Sequence, residues 1–368
     1  MKTLDRYILG SFLINYFLSL FVLISLYVIL DLFVNLDEFT ESGKGTLSIM
    51  YDIGNFYFYN LPLYFAQLSG VITAFAACAT LARMQRNNEI VAVLTSGTSL
   101  YRLAVPIVVA GLAMNALVIL DHEVVLPGVA PKLARQRDDV QGARVYSVWF
   151  VRDGESRLVS AGQFSPKQQT IRNLMVLELS TDPASRGRLT HVVTADKAYW
   201  DPRQKGWGLA RGIRFSAAEE DIAGLYAHQP MKPEPLDFYP CTLTPEELQL
   251  RQTTQWVAFL STRQLNLLAR RGDVKSTQIA QVKHARFTMP IGNMILMLLG
   301  MSFFMHRLPG SVLNQGAKAL GTCAVAFLIS FMGQQMVGAI GVNPAFPAWL
   351  PIFIFGPLAV LLLDNVKT

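Results

Sequence analysis

Residues 7–30 read YILGSFLINYFLSLFVLISLYVIL, and the first charged side chain after them is Asp31. A water-soluble core has no use for an apolar run of this length. A helix needs about 20 such residues to cross the hydrocarbon core of a bilayer, where no water is present to satisfy the backbone. The run is also too long for the apolar part of a cleavable leader, and no small-residue cleavage site follows it, so it is expected to stay in the membrane. Working outward, five further segments carry the same signal: 53–82, 103–120, 287–305, 319–342 and 345–363. Tyr51, Tyr57, Tyr59 and Tyr64 are placed to form an interfacial belt on the second. Prolines at 347, 351 and 357 make the last the least regular.

The composition agrees with this pattern. Hydrophobic residues make up 52% of the 368 and charged residues only 16%, against about 25% charged in an ordinary soluble domain. The net charge is +6, but the basic residues form no dense run and no array interleaved with aromatics, which argues against nucleic acid. Cys78 and Cys323 lie inside apolar runs, so no disulfide framework is indicated. In the short loops, Lys2, Arg6, Arg83, Arg86, Arg102, Arg307, Lys318 and Lys367 fall on one side and Lys44 alone on the other. Positive residues favour the cytoplasm, so both termini are expected there and the long middle segment outside.

That segment reads differently. Between about 143 and 216, short runs rich in Val, Tyr, Trp and Leu (145–151, 157–164, 171–179, 189–200 and 207–215) are separated by turn chemistry such as Arg152-Asp153-Gly154-Glu155, Ser165-Pro166 and Asp201-Pro202. The spacing predicts an all-β sandwich or jelly roll. An exposed edge of such a sheet can accept a partner's strand, or the domain is an inert spacer. From 244 to 286 the pattern turns helical, opened by Thr244-Pro245-Glu246-Glu247 as N-cap, N1 proline and early acids. Arg263, Arg270, Arg271, Lys275, Lys283 and Arg286 gather along it, either as a solvated face or as a landing place for anionic lipid head groups. The expected fold is thus an α-helical transmembrane protein of six spans (3+3) with an inserted, jelly-roll-like β domain. Its parts are residues 1–121, 122–286 and 287–368.

Catalytic chemistry is not evident. The five histidines are dispersed without zinc spacing. Gly43-Lys44-Gly45-Thr46 lacks the glycine spacing and context of a phosphate loop. Asp121, His122 and Glu123 read as a hydrated helix end. Neither cofactor nor metal is expected. Asn15, Gln67, Asn115, Asn293, Gln334 and Gln335 fall inside spans, where interhelical hydrogen bonding competes with ligand binding as their role.

The loop from 83 to 102 carries more information. Asn87-Asn88-Glu89 precedes Ile90, Val91, Val93 and Leu94, and Gly97 follows them. This predicts a short amphipathic helix over about 87–97, with a polar cap, an acid in the first turn and a glycine stop. Such a helix either presses its apolar face on the bundle and offers Glu89 to a basic cytoplasmic partner, or merely closes the loop.

Leu4-Asp5-Arg6-Tyr7-Ile8, the stretch from Asn88 to Ser99 (NEIVAVLTSGTS) and His284-Ala285-Arg286-Phe287-Thr288-Met289-Pro290 together resemble the LptF/LptG permease family of lipopolysaccharide export, over essentially the whole chain. The resemblance implies a permease in the inner membrane, paired with a second such permease and driven by a separate cytoplasmic ABC ATPase dimer. It implies that lipopolysaccharide is extracted and passed by a periplasmic jelly roll to a periplasmic bridge or single-span accessory protein. It further implies that the loop helix couples to the ATPase through Glu89, with Arg86, Asn88 and Gly97 around it. The first, second and fifth spans would line the lipid cavity, which makes Asn15, Phe21, Gln67 and Gln334 the candidates there. One departure stands out: the outer end of the first span carries Asp31, Asp37 and Glu38, with only Lys44 nearby. Lys44, Lys283 and Arg286 are therefore the candidates for lipid phosphates, unless the partner permease supplies them. A competing reading is a membrane-anchored envelope scaffold or sensor whose β domain binds a periplasmic partner.

Overall fold

The computed structural model describes residues 3–40, 45–135, 137–139, 144–154, 156–182, 187–216, 233–253, 255–272, 274–305, 311–336, 343 and 345–364. The chain forms two units: residues 1–37, 57–127 and 277–368 make the first, and residues 38–56 and 128–276 the second.

The first unit is helical. Its elements are α1 (Thr3–Val34), most of α3 (Thr46–Arg86), α4 (Glu89–Thr95), α5 (Leu100–Leu120), α9 (Ser276–Ser302), α10 (Val312–Met336) and α11 (Ala345–Asp364). Among the described residues, five helices are long and apolar enough to cross a membrane: Thr3–Val34, Thr46–Arg86, Leu100–Leu133, Val312–Met332 and Ala345–Asp364. The fourth expected apolar run lies on α9, whose first turns carry Gln278, Gln281, Lys283, His284 and Arg286 and whose apolar half is interrupted by Thr288, Pro290 and Asn293. Those polar residues dilute it below the other five.

Ile8, Phe12 and Tyr16 of α1 pack with Ile72, Leu81 and Met84 of α3, Ile90 of α4, Leu103 and Ile107 of α5, and Met297 and Met301 of α9 in one buried cluster. Backbones approach closely where glycine permits it. A Cβ on Gly111 would sit 2.7 Å from the Met297 sulfur, and one on Gly70 would collide with the Asn293 amide oxygen. Polar side chains join the same helices. Asn293 Nδ2 donates to Ser69 Oγ and to Asn115 Oδ1, both at 3.0 Å, tying α9 to α3 and α5. Asn15 Nδ2 donates to Thr80 Oγ1 at 3.0 Å, tying α1 to α3. Burial is uneven. In the most apolar stretch of α1 only 6% of residues are buried, and in that of α10 11%, against 56% for α3.

In the second unit, the strands are β1 (Tyr146–Arg152), β2 (Arg157–Ser165), β3 (Thr170–Leu179), β4 (Leu189–Asp201), β5 (Gly206–Ala210), β6 (Ile213–Ser216), β7 (Pro233–Pro235) and β8 (Phe238–Pro240). They form one eight-stranded sheet, antiparallel at every pairing, in the order β1-β2-β3-β4-β5-β8, with β6 pairing β4 and β7. The first four strands lie within a residue or so of the expected runs. The fifth expected run, 207–215, divides into β5 and β6, because Arg211 takes φ 55° and is followed by Gly212. The two strands share β4 end to end: Lys197 to Asp201 pair with β5, and His191 to Thr194 with β6. β7 and β8 were not expected, because each is only three residues long and prolines, at both ends of β7 and at the end of β8, remove ladder donors.

The buried face explains a further irregularity. Alternation in a strand is strictly two, yet buried positions jump from Ala161 to Phe164, from Ile171 to Leu174 and from Ala195 to Ala198. The jumps align across three strands, at pairs Ala161↔Leu174 and Leu174↔Ala195 on one side and Phe164↔Ile171 and Ile171↔Ala198 on the other. Asn173 sits in the gap with φ 53°, beside Gly162, whose missing Cβ leaves it room. Arg211 Nε closes the line on Asp196 Oδ2 at 2.9 Å. Such a line of extra residues bends a sheet while keeping its apolar side inward. Trp207 lies at the centre of that side, 1% exposed and edge-on to Phe164 and Trp200.

After β8 come α7 (Pro245–Leu250) and α8 (Thr262–Arg271). The Thr244 hydroxyl accepts from the Glu247 amide with Pro245 behind it, as the sequence predicts. Ser261 and Gln264 form a reciprocal capping box on α8, and Gly272 ends it at φ 73°. The five-residue α2 (Leu36–Thr40) and α6 (Leu126–Leu133), the latter preceded by a π turn at Asp121–Val125, each begin in the first unit and end in the second, which also holds 3-10 turns at Arg137–Asp139 and Trp256–Phe259.

Candidate functional site

The loop helix is real and shorter than expected: α4 runs Glu89–Thr95. Its end is well made. Gly97 takes φ 79°, its N–H donates to the Leu94 carbonyl at 3.0 Å, and the Thr98 N–H donates to the Val93 carbonyl at 3.2 Å. These two bonds are the Schellman pair, which glycine permits because the left-handed conformation costs it nothing. The start differs from expectation. Asn88 occupies the N-cap position at φ 57° and its side chain caps nothing. The neighbouring Asn87 meets the Glu89 side chain and not the helix backbone, its Nδ2 donating to Glu89 Oε1 at 3.0 Å.

Glu89 is the centre of this site. The Tyr7 hydroxyl, from the first turns of α1, donates to both of its carboxylate oxygens, at 3.1 and 3.0 Å. Beneath it, Ile90 is buried with Ile8, Leu81, Met84 and Leu100, and Val93 and Leu94 pack partly against them. Arg86 and Asn88 before α4, Val91 on it and Gly97 beyond its end are exposed. The site is an acidic group on a rigid, half-sunk helix, held by neutral donors. Tyr7 was not singled out by the sequence for this role, since nothing in the spacing of residues 7 and 89 announces contact.

The lipid candidates scatter. Asn15 is engaged with Thr80, Gln67 is exposed, and Phe21 is 72% exposed on α1. Gln334 lies on α10 with its side chain outside the described residues, and Lys44 lies outside them altogether. Lys283 is half-buried. Arg286 Nη1 pairs with Glu123 Oε1 at 3.2 Å, so any lipid phosphate there would compete with a carboxylate already in place. On α8, Arg263, Asn266, Leu267 and Arg270 line a shallow groove of about 470 Å³. No group of His, Cys, Asp and Glu able to hold a metal occurs among the described residues.

Comparison with curated proteins gives no match. Comparison with protein families gives one, described as "Lipopolysaccharide export system permease LptF/LptG", over residues 6–365. That span takes in the apolar helices, the sheet and the loop helix alike. The chain belongs to the LptF/LptG family of lipopolysaccharide export permeases and is a multi-pass protein of the inner membrane.

Proposed function

We propose that this chain is one permease subunit of an ABC-type exporter, which extracts lipopolysaccharide from the inner membrane and passes it to a periplasmic bridge. ATP would be hydrolysed by a separate cytoplasmic ATPase dimer, with a second permease of the same family completing the membrane part. Six spans would cross the bilayer, α9 supplying the fourth, with both termini in the cytoplasm. The bent sheet would stand in the periplasm as a jelly roll. The sparse burial of the most apolar stretches of α1 and α10 supports this reading, since apolar surface that the chain does not cover itself remains available to a partner permease and a lipid.

The observation that carries the proposal is Glu89. A carboxylate presented at the start of a well-ended helix, in a loop between two apolar helices, suits docking to a cation on the ATPase. Desolvating one partner of such a pair without the other costs about 2–5 kcal/mol. Glu89→Ala and Glu89→Arg are therefore expected to weaken retention of the ATPase in the purified complex, at least tenfold for the reversal. Unchanged co-purification with unchanged ATP turnover would refute docking through α4.

A further inference from the structure

The Glu89 carboxylate has only neutral hydrogen-bond partners among the described residues: the Tyr7 hydroxyl and the Asn87 amide. An intramolecular arginine or lysine would orient it and cancel its charge. A tyrosine hydroxyl orients it and leaves the charge in place for an external cation. The donor comes from α1, 82 residues away along the chain, and it bridges both oxygens rather than one. Below the bond, Leu4, Ile8 and Leu9 of α1 share a buried cluster with Ile90, Val93 and Leu94 of α4. A force applied to Glu89 therefore has a direct route into the first span, through a polar contact at the surface and an apolar one beneath it.

We infer that Tyr7 is a positioning residue that fastens the docking carboxylate to the first span, so that movement of a bound ATPase is delivered to α1. This inference rests on the docking reading of α4. It distinguishes two properties of Glu89 that docking alone would merge. Its charge, which Tyr7 does not supply, decides whether the ATPase binds. Its attachment to α1, which Tyr7 does supply, decides whether binding and release do mechanical work. α1 suits the receiving end, because Ile8, Phe12 and Tyr16 join it to the shared core near Glu89 while little of its most apolar stretch is buried.

The test uses the purified complex of ATPase and permeases in proteoliposomes containing lipopolysaccharide. It reads two quantities: ATPase retained per permease, and lipopolysaccharide released per ATP hydrolysed. Tyr7→Phe removes one oxygen and leaves the ring, which is 46% exposed. It is expected to keep ATPase retention within about twofold and to lower lipid released per ATP by about three- to tenfold, the range an exposed hydrogen bond of ordinary net strength commands. Glu89→Gln preserves an acceptor for Tyr7 but removes the charge, so it is expected to lose the ATPase. A Tyr7→Phe complex with wild-type lipid per ATP overturns the inference while leaving docking intact. So does one that sheds the ATPase as fully as Glu89→Gln, because Tyr7 would then be a docking contact and not a link. If Glu89→Gln retains the ATPase normally, the docking reading itself fails, whatever Tyr7→Phe does.

Discussion

A hydrogen-bonding side chain inside a membrane bundle acts only through the partner it finds. Asn293 finds two, Ser69 and Asn115, on two other helices, and Gly70 leaves the space that its amide oxygen needs. Interhelical bonds of this kind contribute about 0.6 kcal/mol each and up to about 1.7. Asn293→Ala should therefore destabilise the bundle by about 1–3 kcal/mol, seen as earlier unfolding in a detergent titration. Gly70→Ala should do comparable damage by pushing the amide away. If both variants unfold like the parent, the three-helix junction contributes nothing. The sequence marks Asn115 and Asn293 as amides in apolar runs, and so as candidates for such bonds. It does not reveal that they bond to each other, because that depends on how three helices are rotated. Tyr7 and Glu89 show the same gap: each residue sits in a recognisable stretch, but the contact between them is tertiary.

At the level of elements, legibility followed local chemistry. Turn residues bracket β1 to β4 and a capping sequence opens α7, so their bounds are readable within a residue or so. The split between β5 and β6 escaped because arginine at φ 55° is not a residue whose type signals a turn. α4 was readable at its end and misread at its start, where Asn88 offers a capping side chain that the backbone points elsewhere. The readable end makes a sharp prediction. Gly97→Ala forces a Cβ into the left-handed region at a cost of about 1 kcal/mol, so amides of the last turn of α4, from Ala92 to Ser96, should exchange about fivefold faster with solvent. Gly10→Ala provides the contrast, since Gly10 lies within α1 at negative φ with nothing within 4 Å of a new Cβ, and no loss is expected. Equal exchange in Gly97→Ala and the parent would show that the Schellman pair does not hold α4.

For the whole molecule, the proposed arrangement stands or falls on which side of the membrane its parts occupy, and its cysteines make that measurable. Cys78 and Cys323 lie within α3 and α10, helices long and apolar enough to span. Cys241 lies in the sheet unit, 3% exposed, and burial pushes its thiol well above the usual range. A raised value means less thiolate at neutral pH, and so little reaction with a maleimide while the sheet is folded. The same shift fixes a sign for stability: as pH rises past about 8.5, the unfolded chain releases a proton that the folded chain keeps, so folding weakens on the alkaline side. Single cysteines introduced at exposed Ser96, beside α4, and at exposed Arg203, in the β4–β5 turn, can then be read at neutral pH without interference. An impermeant maleimide added to cells with a permeabilised outer membrane should label Arg203→Cys and spare Ser96→Cys, with Cys241 silent until denaturant is added. The expectation comes from the loops: basic residues flanking α4 favour the cytoplasmic side, whereas a long domain is carried across largely regardless of its charge. Labelling at both positions, or at neither, would place the docking helix and the sheet in one compartment, where a single chain could not take energy from a cytoplasmic ATPase and hand lipid to a periplasmic partner.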